Sequence, residues 1–334
     1  MSILITGATG YIGSHICIEL LSSNSDIVML DNFTNSKENV LKRIEEISNK
    51  TLKFYNVDLL DLNELNRVFE ENNIQGVIHL AGYKAVSESI SNPLKYYINN
   101  VGGLLNICTV MEKHNVRNMV FSSSATVYGL YNPSPLTENM TLSSINPYGS
   151  TKLVCEQILK DLHISDKRWS IDILRYFNPI GAHESGKIGE DPSGIPNNLM
   201  PFISKVASGT LPKLLVYGGD YKTKDGTGVR DYIHVVDLAK GHVLALNKNQ
   251  NSKGVSIYNL GTGRGYSVLE VISAFEKASN VFIPYEIVDR RKGDIDECFA
   301  DTSKACRDLK WRAEKDLKTM CLDSWRWENN NSLG

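Results

Sequence analysis

Tyr148 and Lys152 stand four residues apart in a stretch that opens with Pro147, and three serines, Ser122, Ser123 and Ser124, precede them. Proline suits the first position of a helix, and i,i+4 spacing sets the phenol and the ammonium on one helical face. An ordinary tyrosine, with a pKa of about 10, is a poor base at neutral pH, and a fixed cation beside it lowers that value and favours tyrosinate. A phenolate so placed can take a proton from a hydroxyl group. By themselves the two residues suit a solvated helix face equally well, so the chemistry depends on what accompanies them.

Glycines accompany them. Gly7, Gly10 and Gly13 fall in the run Gly7-Ala8-Thr9-Gly10-Tyr11-Ile12-Gly13, directly after the short apolar run to Thr6 and at the start of helical apolar spacing from Tyr11 to Leu21. A strand-to-helix turn of this composition lets helix amides face a pyrophosphate, with no side chains in the way. Asp31 ends the next apolar run, Ile27 to Leu30. There a carboxylate can accept from both ribose hydroxyls and would repel a 2′-phosphate, which favours NAD over NADP. An ordinary tight turn and a plain strand cap are the structural alternatives for these residues. A second cluster, Gly261-Thr262-Gly263-Arg264-Gly265, also follows a strand pattern, but no acid follows it at ribose distance with a further strand. We expect it to be a loop rather than a nucleotide site.

The elements that must position these groups are legible in outline. Apolar runs at Ile3 to Thr6, Ile27 to Asp31, Leu52 to Asn56, Gly76 to Leu80, Asn118 to Ser122 and Ser170 to Tyr176 alternate with helical patterns. Those patterns cover Gly10 to Leu21, Ser36 to Ile47, Leu62 to Glu71, Leu94 to His114 and Tyr148 to His163. The alternation predicts an α/β fold with a doubly wound parallel sheet of Rossmann type. From Phe177 to Thr227 glycine, proline and asparagine become frequent and long periodic segments scarce, as in a lobe of loops and short elements. The expected domains are residues 1–176, dinucleotide-binding, and 177–334, a smaller substrate-binding lobe, with 235–259 returning to the first sheet. The asparagine-rich end, Asn329 to Asn331, reads as a frayed tail.

Composition narrows the function further. The 334 residues suffice for two domains, and a formal net charge of -2 supplies no basic field for nucleic acid. The longest apolar stretches have strand length, and Met1 leads into the first strand without a basic segment, so neither a membrane span nor a signal peptide is expected. A cytoplasmic protein is the expectation. Six cysteines show no spacing suited to a metal or to a disulfide framework.

With these features in hand, the chain closely resembles the extended short-chain dehydrogenase/reductase family, and within it the UDP-glucose 4-epimerases. The likeness is carried in order by GATGYIGSH from Gly7, LDN from Leu30, AGYKAV from Ala81, Asn99-Asn100, FSSSATVYG from Phe121, PYGSTK from Pro147, RYFNPIGAH from Arg175, GEDPSGIPNNLMP from Gly189, DGTGVRDYIHV from Asp225 and YNLGTG from Tyr258. The resemblance implies reversible C4 epimerisation of UDP-glucose and UDP-galactose through a 4-keto sugar, with transient reduction of NAD. It implies that Ser124, Tyr148 and Lys152 are catalytic. It assigns NAD contacts to Gly7, Gly10, Tyr11, Ile12, Gly13, Asp31, Asn32, Asn35, Ser36, Asp58, Leu59, Leu80, Ala81, Gly82, Lys84, Asn99, Tyr148, Lys152 and Phe177, and no metal. It assigns the UDP-sugar to Ser124, Asn178, Asn198, Leu199, Tyr217, Arg230, Arg291, Asp294 and Cys298. The two arginines offer forked donors that suit phosphate, although either alone could be a surface ion-pair partner, and the two asparagines could be turn formers. A tyrosine stands at the position of Cys298 in family members restricted to glucose and galactose, so the resemblance also implies turnover of UDP-N-acetylglucosamine and UDP-N-acetylgalactosamine. It further implies a homodimer that pairs the helices Leu94 to His114 and Tyr148 to His163 with their symmetry mates. The alternatives are a nucleotide-sugar 4,6-dehydratase and a non-catalytic NAD-sensing protein. The resembled dehydratases follow the active-site hydroxyl residue with an Asp-Glu pair, where this chain has Ala125 and Thr126.

Overall fold

The computed structural model describes residues 2–192, 196, 198–249, 252–291 and 293–332; parts of the segment from Gly189 quoted above lie outside them. The chain opens with β1 (Ser2–Thr6), α1 (Tyr11–Ser22), β2 (Asp26–Asp31), α2 (Asn39–Ser48), β3 (Phe54–Asn56), α3 (Leu62–Glu70) and β4 (Ile74–His79). It continues with α4 (Val86–Ser91), α5 (Pro93–Tyr96), a π-helical turn (Tyr97–Gly102), α6 (Gly103–Lys113), β5 (Asn118–Ser124), a 3-10 turn (Ala125–Tyr128), α7 (Pro147–Ser165) and β6 (Ser170–Tyr176). Then follow β7 (Asn178–Ile180), α8 (Leu199–Ala207), β8 (Leu214–Tyr217), β9 (Val229–His234), α9 (Val235–Asn249) and β10 (Gly254–Leu260). The last elements are β11 (Gly265–Ser267), α10 (Val268–Ser279), β12 (Tyr285–Val288), β13 (Glu297–Cys298), α11 (Ser303–Leu309) and α12 (Leu317–Ser332).

Two compact units emerge: residues 1–129, 141–175 and 239–258 in the first, and 130–140, 176–238 and 259–334 in the second. The first holds a seven-stranded sheet in the order β10-β6-β5-β4-β1-β2-β3. β1 pairs in parallel with β2 and β4, β2 with β3, and β4 with β5. Strand order therefore reverses between β1 and β4, and the carboxyl ends of those two strands are where an open α/β sheet offers a crevice. Leu4, Val28, Val77, Met119 and Ile171 fill the core beneath helices that contribute Leu65, Leu104, Ile107 and Leu159. Long apolar runs without alternation are what strands buried on both faces require.

The second unit is built around β9, which pairs with β11, β13 and β7, while β8 pairs with β12. Its core gathers Ile203, Val216, Phe275, Ile283 and Met320 from α8, β8, α10, the segment before β12, and α12. α10 opens with a full capping box, in which Ser267 accepts from the Glu270 amide and Glu270 from the Ser267 amide.

Two segments differ from the sequence expectation. The helix expected over Leu94 to His114 is interrupted by the π-helical turn, a device common at functional sites because it re-aims side chains. The asparagine-rich end is the last turn of α12, where Trp327 and Glu328 are buried and hold it in place.

The first β-α turn is packed to the limit. Gly7 adopts φ +70°, and a Cβ on Gly13 would lie 2.1 Å from the Gly7 carbonyl oxygen. Gly13→Ala must therefore displace backbone, and we expect a loss of roughly 1–3 kcal/mol of stability by thermal unfolding. An unchanged transition would show that the turn relaxes freely.

Candidate active site

α7 is placed by its own sequence. Asn146 caps it by accepting from the Gly149 amide at 2.8 Å, and Pro147 sits at its first turn. One side of the helix then meets the end of β5 residue by residue. Lys152 Nζ donates to the Ser122 carbonyl at 2.8 Å, Ser123 Oγ donates to Glu156 Oε1 at 2.6 Å, and Ser124 hydrogen-bonds the Tyr148 phenol. Ser124 Oγ also accepts from the amide and the hydroxyl of Thr126, at 3.2 and 3.0 Å, which leaves its own proton to point at the phenol.

Ser124, Tyr148 and Lys152 are all buried, and burial reverses the simplest electrostatic expectation. It pushes the Tyr148 phenol above its ordinary range, and the hydrogen bond from Ser124 recovers only part of that shift. Burial lowers the Lys152 ammonium to about 8, against the pull of Cys155 and Glu156. Lys152 lies 6.0 Å from the Tyr148 ring centroid and 5.0 Å from that of Phe121, and its hydrogen bond goes to the Ser122 carbonyl. Burial thus works against the tyrosinate that the i,i+4 spacing favours. Desolvation outweighs the nearby cation.

The glycine turn and Asp31 meet as the sequence suggests. Gly10 caps α1 without a side chain and no acid stands in its first turn, so its positive end is left for an anion. Asp31 Oδ1 accepts from the Phe33 amide and the Ser36 hydroxyl, and Oδ2 from the Thr9 amide at 3.1 Å. A carboxylate oxygen accepts two bonds, so Oδ2 keeps a direction for a ribose hydroxyl. Thr9 and Ser36 hydroxyls are 2.7 Å apart, and Asn32 donates to Asp58 at 2.9 Å. Leu59 is buried, whereas Asn35 is exposed. After β4, the Leu80 and Ala81 amides donate to the Thr6 hydroxyl, and a Cβ on Gly82 would press on Asn100. Lys84 is exposed at the end of this loop. These groups form a cradle that suits a dinucleotide.

Asn100 and the Glu156–Arg175 pair escaped the sequence reading. Asn100 accepts from the Tyr83 amide and the Asn99 side chain, and donates to the Tyr83 carbonyl and to Thr151 of α7, so it fastens the loop after β4 to the catalytic helix. The Asn99-Asn100 doublet was its only signal.

In the second unit, Arg230 Nη1 donates to the Val229 and Ile295 carbonyls at 2.9 Å each, with Asp294 at 3.5 Å from Nη2. Cys298 faces Arg230 in the β9–β13 register, and burial pushes its thiol up to about 11. Arg291 stacks over the Tyr217 ring at 3.9 Å. Leu199 opens α8, and Asn198 before it donates to Glu190 at 2.8 Å. Asn178 is exposed at the start of β7, and the Phe177 amide donates to the Leu260 carbonyl.

The second glycine cluster already holds an anion of its own. Asp231, fully buried, accepts from the amides of Thr262, Gly263 and Ala300 and from the Thr262 hydroxyl. A Cβ on Gly261 would lie 2.4 Å from its Oδ2. Burial raises the Asp231 carboxyl while these bonds pull it down.

The model of the NAD dependent epimerase/dehydratase family matches residues 3–261. Over 334 residues the chain is 60% identical to the UDP-glucose 4-epimerase of Bacillus subtilis, covering 100% of this chain and 98% of that one. The crystal structure of UDP-glucose 4-epimerase from Bifidobacterium longum in complex with NAD+ and UDP superimposes with a TM-score of 0.96 at 52% identity, over 99% of each chain. That of the Stenotrophomonas maltophila enzyme, with bound NAD and formylated UDP-arabinopyranose, gives 0.98 at 46% identity, covering 100% of this chain and 99% of that one.

The two glycine turns make opposite predictions. Asp231→Ala strands four donors at roughly 1–3 kcal/mol each, so it should lower the melting temperature markedly yet leave the dinucleotide content of the folded fraction intact. Asp31→Ala strands the Thr9 and Phe33 amides and the Ser36 hydroxyl and so also costs stability, but it should in addition empty the folded fraction of dinucleotide. Loss of dinucleotide from folded Asp231→Ala would place the second turn in the cofactor site.

Proposed function

Because the chain belongs to the NAD dependent epimerase/dehydratase family, we propose that it interconverts UDP-glucose and UDP-galactose by inverting C4 of the sugar. The observation that carries this reading is the buried contact set of Ser124, Tyr148 and Lys152 at the junction of β5 and α7. NAD, when bound, supplies the two-electron acceptor for C4 and a positive charge. Tyr148 takes the proton of the C4 hydroxyl, Ser124 hydrogen-bonds the same oxygen and relays the proton, and Lys152 offsets the phenolate charge. The ketone that results must present its other face, so the nucleotide end carries the binding energy and the sugar ring stays free to turn. Arg230 and Arg291 supply charge for the diphosphate, Tyr217 a ring for the uracil, and Asn178, Asn198 and Leu199 the remaining contacts. Asp31 takes the ribose hydroxyls and disfavours NADP. Elimination of water is disfavoured because Ala125 and Thr126 follow Ser124, and Thr126 is engaged in orienting it.

The proposal extends to assembly and location. α4, α5, the π-helical turn, α6 and α7 expose Ile90, Leu94, Ile98, Leu105, Val154 and Ile164, and this apolar surface suits a homodimer in which these helices pair with their mates. Sedimentation at the mass of a single chain would refute it. Among the described residues no helix is long and apolar enough to cross a membrane. All six cysteines are free thiols, which fits a reducing cytoplasm.

A panel of four UDP-sugars tests the reaction. Wild-type protein should convert UDP-glucose to UDP-galactose, and Tyr148→Phe should lose roughly 10²- to 10⁴-fold in turnover while keeping NAD. A stable keto product would indicate the dehydratase instead. Cys298 fills less space than a tyrosine would, so the N-acetylated pair should also turn over. Cys298→Tyr should remove that activity by roughly 5- to 150-fold and spare UDP-glucose, since overlap in a packed site costs about 1–3 kcal/mol. Equal loss of both activities would exclude Cys298 as a specificity gate.

A further inference from the structure

We propose that Glu156 is a positioning residue for the catalytic group: through its charge it keeps Lys152 protonated, and through Ser123 it fixes the end of β5 against α7. This rests on the assignment of Ser124, Tyr148 and Lys152 in the proposed function, and it adds a residue that contacts neither cofactor nor substrate. The geometry carries it. Glu156 lies four residues beyond Lys152 on α7 and is fully buried. Arg175 of β6, fully buried as well, grips it with two bonds, Nε to Oε1 at 2.9 Å and Nη2 to Oε2 at 2.6 Å. Ser123 donates to the same Oε1, and Arg175 reaches on to the Tyr128 hydroxyl at 3.2 Å. Three consecutive residues of β5 are thus held by residues on three successive turns of one helix, and Glu156 holds the middle one, Ser123.

Among the described residues, the groups around Lys152 leave Glu156, itself paired with Arg175, as the carboxylate that acts on it. On α7 its other ionisable neighbours are Tyr148, held protonated by burial, and Cys155, whose thiol burial raises to about 11. β4 contributes His79, which burial and the Lys152 charge hold neutral, and β5 contributes the Phe121 ring and the Ser122 carbonyl. Tyr128 is engaged with Arg175, and Tyr96 couples to Glu88 and Tyr148. Lys160 lies beyond Glu156, 3.8 Å from Oε2. A buried ammonium without an anionic neighbour gives up its proton more readily.

Removing Glu156 alone would strand the buried Arg175 charge, so the informative variant replaces both, Glu156→Gln with Arg175→Met; similar pairs elsewhere tolerate joint replacement. Lysine-selective carbon NMR of the NAD-loaded protein, assigned with a Lys152→Met control, reads the charge directly. In the double variant Lys152 should lose its proton at a pH lower by about half a unit or more, and the alkaline limb of kcat should follow. A Lys152 titration that superimposes on the parent overturns the charge-setting role, whether or not UDP-glucose is turned over. Ser123→Ala keeps both charges and tests the mechanical half. Its Lys152 titration should match the parent while kcat falls roughly 10-fold at unchanged KM, as misplacement of reacting groups predicts. Unchanged kcat overturns that half. Should the parent fail to convert UDP-glucose while the titration shifts as stated, the proposed function falls and the charge-setting role stands.

Discussion

The bond from Lys152 to the Ser122 carbonyl ties a buried ammonium to the carboxyl end of a central strand, and the rest of the site takes its register from that tie. A lysine emerging from a helix has four carbons of reach and many rotamers. Once its ammonium is spent on a backbone carbonyl, the helix can neither slide along the strand nor rotate over it without losing a charged hydrogen bond in a dry interior. Tyr148 then stands one turn earlier and Ser124 two residues further along the strand. Catalytic geometry is in this sense a by-product of anchoring.

The same dryness sets the chemistry. Burial raises the phenol, lowers the ammonium to about 8 and holds His79 neutral, so at neutral pH the phenol stays uncharged while the ammonium keeps its charge but yields its proton more readily. Charge arriving with a substrate or cofactor therefore acts in a medium of low dielectric, where each unit of charge has more effect than it would in water.

How much of this could be read from the residues depends on distance along the chain. The glycine turn, Asp31 and the Tyr148–Lys152 spacing are local, and local spacing survives into three dimensions; so do the strand runs that made a parallel sheet legible, though not its strand order. Glu156 and Arg175 are nineteen residues apart with a strand entry between them, and each looked like an ordinary charge on a periodic element. Asp231 was invisible for the same reason, thirty-one residues ahead of the turn it fills. The desolvation of Tyr148 is not legible in the chain either, because spacing reports neighbours and says nothing of solvent.

The π-helical turn between α5 and α6 bears on how the chain tolerates insertions and deletions. Tyr96, Asn100 within the turn, Leu104, Ile107 and Met111 are all buried, at intervals of four, four, three and four residues, the spacing of one continuous helical face. Adding or removing one residue beyond Asn100 would rotate everything after it by about 100°. Leu104, Ile107 and Met111 would then swing out of the core while Asn100 stayed on the loop after β4. A half-exposed helix is ordinarily a permissive place for a change of length; here the buried face that runs through the irregular turn makes its residue count as fixed as that of a central strand.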